Sequence, residues 1–455
     1  MQTDLAEKYK GTRDGEEAEA ILRKCVHCGF CNATCPTYQL LGDELDGPRG
    51  RIYLIKQVLE GKTATAKTQL HLDRCLTCRN CETTCPSGVQ YGRLVDIGRK
   101  LVDEQVERPL ADKLARAALA KGLNSPLFAP AIKLGQALRW AVPDALKAKV
   151  PPKQDAALLA RGRPAPTRQR KMLLLEGCVQ NAMMPNINNA AARVLDALGV
   201  SLVSAPKAGC CGALNYHLDY QEAGLNNMRR NIDAWWPMID ANEVEAIAMT
   251  ASGCGVMVKE YGHLLAHDPA YAVKAKRVSD MTRDLSELAL SEESLPERLA
   301  AVRARTAAST NGYGVMADSS PVSGSDNAAG MPVKIAYHPP CSLQHGQQLR
   351  GLAEQLLQAA GFELTAVADA HLCCGSAGAY SVLNPEIAGQ LKQRKLVNLE
   401  AGQPALICSS NIGCLTHLQS GTQTPVKHWI EVIDEVLDQA GPDRPPQSSI
   451  GSPAL

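Results

Sequence analysis

Two runs of cysteine carry the strongest chemical signal in the chain. The first reads Cys25-x2-Cys28-x2-Cys31-x3-Cys35-Pro36 and the second Cys75-x2-Cys78-x2-Cys81-x3-Cys85-Pro86. Two-residue gaps let a backbone wrap one corner of an iron–sulfur cube and present three thiolates. The fourth thiolate, three residues further on, points away toward a neighbouring cube, as in bacterial two-cluster ferredoxins. The spacing therefore predicts one [4Fe–4S] cluster on Cys25, Cys28, Cys31 and Cys85, and another on Cys75, Cys78, Cys81 and Cys35. Zinc is the competing reading, because paired C-x2-C motifs also build zinc ribbons. The third cysteine and the trailing proline recur in both runs, which favours iron. Pro36 and Pro86 are expected to end the local helix and turn the chain outward.

Nine further cysteines lie between 178 and 414, most of them in two copies of one pattern. EGCVQ, AGCCGALNYH and TASGCGVMVKEYG are matched by HPPCSLQHG, HLCCGSAGAY and SSNIGCLTHLQSG. Cys178, Cys210 and Cys211 stand 163 residues before Cys341, Cys373 and Cys374, and Cys254 stands 160 before Cys414. One reading is a metal or cluster site on Cys178, Cys210, Cys211 and Cys254, with a second on Cys341, Cys373, Cys374 and Cys414. The plainer reading is a repeated fold in which one or both copies hold no metal. Cys408 has no counterpart and reads as a small core hydrophobe. His338 could line the second set, and His27 could tune the first cluster from its loop. For both histidines a surface or hydrogen-bonding role is the simpler expectation.

The elements that must position these groups follow from periodicity. KMLLLEG, NINNAAARVLDALG and VSLVSAP read strand, helix, strand, as do VKIAYH, LRGLAEQLLQAAG and FELTAV. EAIAMTA and PALICSS read as buried strands with the last repeat cysteine just beyond. This is the pattern of a parallel sheet, whose ligands gather past the C-terminal strand ends. The expected fold is α+β and multidomain: a helical two-[4Fe–4S] ferredoxin domain, then two repeated α/β Cys-Cys-Gly domains with parallel sheets. Expected bounds are 1–100 for the ferredoxin part, 101–170 for a helical segment and linker, and 171–300 for the first repeat. A flexible linker at 301–332, the second repeat at 333–440 and a tail at 441–455 complete the chain. Pro126, Pro130 and Pro143 are expected to break the helical segment. The cations Arg161, Arg163, Arg168, Arg170 and Lys171 read as a solvated linker, with contact to acidic lipid or a partner as the alternative.

Composition excludes several classes. The 455 residues are 45% hydrophobic and 21% charged, with a net charge of +1, which gives no electrostatic basis for binding duplex nucleic acid. The N-terminus lacks a secretory signal, so the cysteines are expected in a reducing compartment and disulfides are not. PLFAPAIKLGQALRWAV is interrupted by Lys133 and Arg139, too polar to span a bilayer. No G-x-G-x-x-G follows a strand, and Walker A and nucleophile-elbow motifs are missing. A chain of clusters without an organic cofactor moves single electrons and needs a partner for two-electron chemistry. A cluster or zinc sensor of nucleic acid remains the reading from another class, and the charge counts against it.

The residues resemble a known family, the iron–sulfur subunits of bacterial glycolate oxidase (glycolate dehydrogenase). The matching segments are CVHCGFCNATCPTYQLLGDELDGPRGRIYLIKQVLEG, LDRCLTCRNCETTCPSGVQYGRLVDIGR, EGCVQ, AGCCGALNYHL, RNIDAWWPMID, TASGCGVMVKEYG, HLCCGSAGAYSVLNPEIA and NIGCLTHLQSG, spanning about 16 to 440. The resemblance implies an electron-carrying subunit with no catalytic residue of its own. It would serve two flavoprotein partners, which hold the FAD and oxidise glycolate to glyoxylate, and would pass electrons toward the quinone pool. It implies a cytoplasmic protein, peripheral on the inner membrane, and carries the eight ferredoxin-type cysteines over as ligands. Sibling complexes oxidise lactate or glycerol-3-phosphate. The wider Cys-Cys-Gly family closes each repeat with C-x2-C. Ala251 and Asn411 replace the first of those cysteines here, which counts against a five-cysteine non-cubane cluster in both repeats.

Overall fold

Short amphipathic helices build the N-terminal part. The computed structural model describes residues 1–141, 147, 150–308 and 332–439. Helix Arg13–Lys24 turns Ala18, Ile21 and Leu22 inward, and Thr12 caps it by accepting the Gly15 N–H. Helices Pro48–Leu59 and Tyr91–Asp103 pack on it and bury Ile52, Ile55, Leu59, Leu94, Val95 and Val102. The cysteine runs form the loops and one-turn helices between these rods, Phe30–Ala33 in the first and Asn80–Thr84 in the second. Pro86 follows the second short helix as expected. Pro36 does more than end a helix: it opens the next, Pro36–Leu41, at the first position, where a missing N–H costs nothing.

Helices Leu110–Gly122 and Phe128–Ala137 follow. Pro126 lies between them. Pro130 does not break the second helix, because it sits in the first turn, where N–H groups lack intrahelical partners. Pro143 lies outside the described residues.

Two parallel sheets of four strands make up the rest. The first holds β1 (Arg170–Leu174), β2 (Val200–Val203), β3 (Ile247–Met249) and β4 (Thr282–Asp284), in the order β2-β1-β3-β4. The second holds β5 (Lys334–His338), β6 (Glu363–Leu364), β7 (Leu406–Ser409) and β8 (Val426–His428), in the order β6-β5-β7-β8. The identical order is the structural form of the sequence repeat. Central strands carry unbroken buried runs, Met172-Leu173-Leu174 and Ile407-Cys408-Ser409, as sheets covered on both faces require. Cys408 is thus a core residue. Edge strands β4 and β8 are three residues each and largely polar, so no apolar run marks them in the sequence.

The two sheets share one core. Helix Asn186–Ala197 packs against helix Trp429–Gln439, and Leu285–Ser291 against Leu352–Ala359, so that Ile187, Val194, Leu288, Leu356, Trp429 and Ile433 lie in a single cluster. Helix Ser294–Ala308 runs into the stretch expected as a linker; 309–331 and the tail from 440 lie outside the described residues. The arginines leading into β1 form ion pairs within the chain. Arg161 pairs with Asp434 and Asp438, Arg163 with Glu176, Arg168 with Asp196, and Arg170 with Glu245 and Glu292. Arg161 thus ties the segment to the second repeat and the other three tie it to the first, while residues 165–170 stay exposed.

Candidate metal centres

The first cysteine loop winds tightly because His27 and Gly29 take left-handed backbone angles, φ 60° and 88°. The second loop repeats this at Thr77 and Arg79, φ 51° and 60°. A β-branched Thr in that region is strained, and such strain gathers at functional sites. The winding turns successive cysteine side chains toward one point. Cys25, Cys28, Cys31 and Cys85 line one pocket, whose wall includes Cys81. Cys35, Cys75, Cys78 and Cys81 line the next. The fourth cysteine of each run therefore sits with the first three of the other.

The surroundings suit anionic sulfur. The Thr77 N–H donates to Cys75 Sγ at 3.4 Å and the Tyr91 hydroxyl donates to it at 3.6 Å. Arg51 is fully buried; burial disfavours its charge, and the groups around it, Cys75, Tyr91, Cys35 and Asp46, outweigh that. Arg99, also buried, donates to the Cys75 carbonyl at 2.6 Å. Burial pushes the Cys31 thiol up to about 11, and those of Cys78 and Cys81 well above their ordinary range. Thiols so placed ionise only against a bound cation, which is what cluster ligands require. None of these tuning residues carried a motif; only the structure connects them.

Each Cys-Cys-Gly turn is built alike. Gly212 and Gly375 take φ 91° and 90°, and a Cβ on either would lie 2.7 Å from a backbone oxygen, that of Gly224 or Ala388. The turned N–H of Gly212 donates to Cys210 Sγ and that of Gly375 to Cys373 Sγ, both at 3.4 Å. Cys178 and Cys341 sit past the ends of β1 and β5. Cys254 and Cys414 lie in the first turns of helices Ser252–Lys259 and Ile412–Gln419, after β3 and β7. The structure brings each foursome together. In the first, hydrogen bonds from the thiols of Cys178 and Cys211 lower the Cys210 thiol, and the same bonds raise their own. In the second, Cys341 Sγ lies 3.8 Å from Cys373 Sγ, and Asn411 Nδ2 donates to Cys414 Sγ at 3.7 Å. Asn411, at the position of the missing cysteine, thus serves a sulfur that it does not replace.

His27 is exposed beside the first loop. His338 has neither the surface nor the hydrogen-bonding role, because it is buried and neither ring nitrogen has a hydrogen-bond partner; it does line the second set, with a ring nitrogen beside the Cys374 and Cys414 sulfurs. Cys78 packs with Leu76 against Cys341, Cys373 and Tyr380, so the second ferredoxin-type set abuts the second Cys-Cys-Gly set. A cavity of about 540 Å³ joins the second ferredoxin-type set to both Cys-Cys-Gly sets, reached by Cys75, Cys78, Cys178, Cys210, Cys254, Cys341 and Cys414.

Comparison with known proteins gives the same architecture. Residues 21–89 match the family of 4Fe-4S dicluster domains, and 172–259 and 335–419 each match the cysteine-rich domain family. The chain is 51% identical to the glycolate oxidase iron-sulfur subunit of Escherichia coli (strain K12), over 96% of this chain and 100% of that protein. It is 28% identical to the probable glycolate oxidase iron-sulfur subunit of Bacillus subtilis (strain 168), over 93% of this chain and 95% of that one. Lactate utilization protein A of Bacillus velezensis is 26% identical over 58% of this chain and 99% of its own length. With its dicluster loops, its paired Cys-Cys-Gly sheets and a full-length match at this identity, the chain belongs to the family of glycolate oxidase iron–sulfur subunits, the electron-carrying components of an oxidoreductase.

Proposed function

We propose that this chain carries electrons from flavoprotein partners that oxidise glycolate to glyoxylate, and delivers them toward a membrane quinone. The observation that carries the reading is the line of thiol sets. The first ferredoxin-type set is open to the surface at Cys28, the second lies beneath it, and the second abuts the cysteines of the far repeat. A [4Fe–4S] cluster on each of the first two sets supplies one-electron transfer. Cys25, Cys28, Cys31 and Cys85 would hold one, and Cys75, Cys78, Cys81 and Cys35 the other. The domain bounds given above describe the same division of labour, with 101–170 joining the ferredoxin part to the repeats.

Entry is supported by an apolar patch around Cys28. Val26 is 69% exposed and Phe30 62%, with Tyr53 alongside, a surface suited to a redox partner. Exit is supported by the two helices after the ferredoxin part. Leu110, Leu114, Leu127, Leu134, Leu138 and Trp140 all stand out in solvent, with Lys121 and Lys133 exposed among them. Apolar side chains with a Trp and cations suit a bilayer interface. This would place the protein peripherally on the cytoplasmic face of the inner membrane. No helix among the described residues is long and apolar enough to cross a membrane.

The test is anaerobic. The chain, isolated with its native partners, is mixed with glycolate, D-lactate or glycerol-3-phosphate and followed by low-temperature paramagnetic resonance. Reduction of the clusters by glycolate is expected. Reduction by lactate alone would move the complex to a sibling reaction, which the likeness to lactate utilization protein A favours as the second reading.

A further inference from the structure

His338 ends β5 three residues before Cys341 and is 1% exposed. Neither Nδ1 nor Nε2 has a hydrogen-bond partner. Buried polar groups are nearly always paired, so an imidazole bare at both nitrogens marks a place where something else binds. One ring nitrogen lies with the Sγ atoms of Cys374 and Cys414 in a group whose members are all within 4.8 Å of one another. Among the described residues, neither the eight ferredoxin-type cysteines nor the first repeat's four supply such a trio. The other tight group among the described residues, Asp43, Asp46 and His71, surrounds a carboxylate already occupied by Arg51, Arg74 and His71.

That spacing separates a single ion from a cluster. A tetrahedral zinc ion, with bonds of about 2.0–2.3 Å to nitrogen and sulfur, holds its ligand atoms within roughly 4 Å of each other. Ligands of an iron–sulfur cube are spread around its corners, as the looser N-terminal sets are. The repeats differ at this point: the offset that aligns their cysteines puts Leu175 opposite His338. The strand end that offers a nitrogen in the second copy offers only a methyl group in the first.

We propose that the second Cys-Cys-Gly repeat binds one zinc ion through His338, Cys374 and Cys414, and that the first repeat lacks this site. The proposal rests on reading the second foursome as a metal site and narrows it to a mixed nitrogen–sulfur set. Binding displaces the two thiol protons. Asn411 donates to the Cys414 sulfur, and the Cys373 thiol contacts that of Cys374 and adds a donor at the same place.

The complex isolated anaerobically should contain one zinc per copy of this chain, beside the iron. Absorption at the zinc K-edge should show imidazole scattering together with sulfur. His338→Leu, which installs the first repeat's residue, should lower zinc at least tenfold with iron unchanged, and Cys254→Ser should leave zinc intact. His338→Cys should keep the metal and convert the shell to sulfur. Absence of zinc from the wild-type complex, an all-sulfur zinc shell, or unchanged zinc in His338→Leu would each overturn the proposal. If His338→Leu also loses iron, as a misfolded chain would, the wild-type absorption spectrum decides alone. Cluster reduction by glycolate is read separately, so failure of the zinc site and failure of the electron-transfer reading are told apart.

Discussion

At the scale of residues, the exchange of fourth ligands makes the sharpest prediction. Cys85 follows the second run in sequence but lines the pocket of Cys25, Cys28 and Cys31. Cys85→Ser should remove the cluster of the first run, halve the iron and leave the resonance signal of the second. Cys35→Ser should do the reverse, although Cys35 belongs to the first run. Loss of the second run's signal in Cys85→Ser would show that each run keeps its own fourth cysteine. The grouping of the eight cysteines about two pockets was legible in the sequence, because two- and three-residue gaps constrain where a thiolate can point. The residues that set the polarity of each pocket were not. Arg51, Arg99 and Tyr91 reach Cys75 from other helices, and nothing local to them announces it. His338 was visible as a histidine near Cys341, but its bare nitrogens are a property of the folded core.

At the scale of elements, each Cys-Cys-Gly turn depends on a backbone that only glycine takes without strain. Gly375→Ala would meet the Ala388 oxygen at 2.7 Å in addition to its left-handed angle, and should cost more than about 1 kcal/mol. Gly378→Ala also has positive φ, 61°, but faces open space, and should cost less. Denaturant midpoints of the two variants check this, and equal losses would leave backbone strain as the sole cause. The exposed helices give a second prediction. Liposomes with anionic lipid should shift the Trp140 emission to the blue and pull the complex down on sedimentation. Leu127→Ser with Leu134→Ser should abolish both, and sedimentation unchanged by these substitutions would place the membrane contact elsewhere. The strands of both sheets next to the cysteines were legible as apolar runs. Edge strands β4 and β8 were not, since Thr282-Arg283-Asp284 and Val426-Lys427-His428 are largely polar and form no apolar run. Nor were the ion pairs of Arg161, whose acidic partners, Asp434 and Asp438, lie in the other repeat.

At the scale of the molecule, the three parts meet through charge. Arg79 and Arg93 of the ferredoxin part both pair with Glu260 of the first repeat, at 2.9 and 3.1 Å, and Glu17 pairs with His263. Asp219 lies where the first repeat meets both the ferredoxin part and helix Leu110–Gly122. Its Oδ2 is 3.6 Å from Arg108 and 3.9 Å from Arg116, beyond hydrogen-bonding reach of either. Burial pushes this carboxyl up to about 7; Arg99 and Arg108 oppose the shift, and Asp103 and Asp73 add to it. An unfolded aspartate titrates near 3.8. Between those two values the folded chain holds a proton that the unfolded chain has released, so stability falls as pH rises through the window and is lowest above 7. Asparagine keeps the shape, tolerates the left-handed backbone at this position (φ 70°) and never ionises. Asp219→Asn should therefore gain more in Tm over the wild type at pH 8 than at pH 5. An equal difference at both values would mean that the carboxylate is already ionised at the junction, with the arginines outweighing its burial.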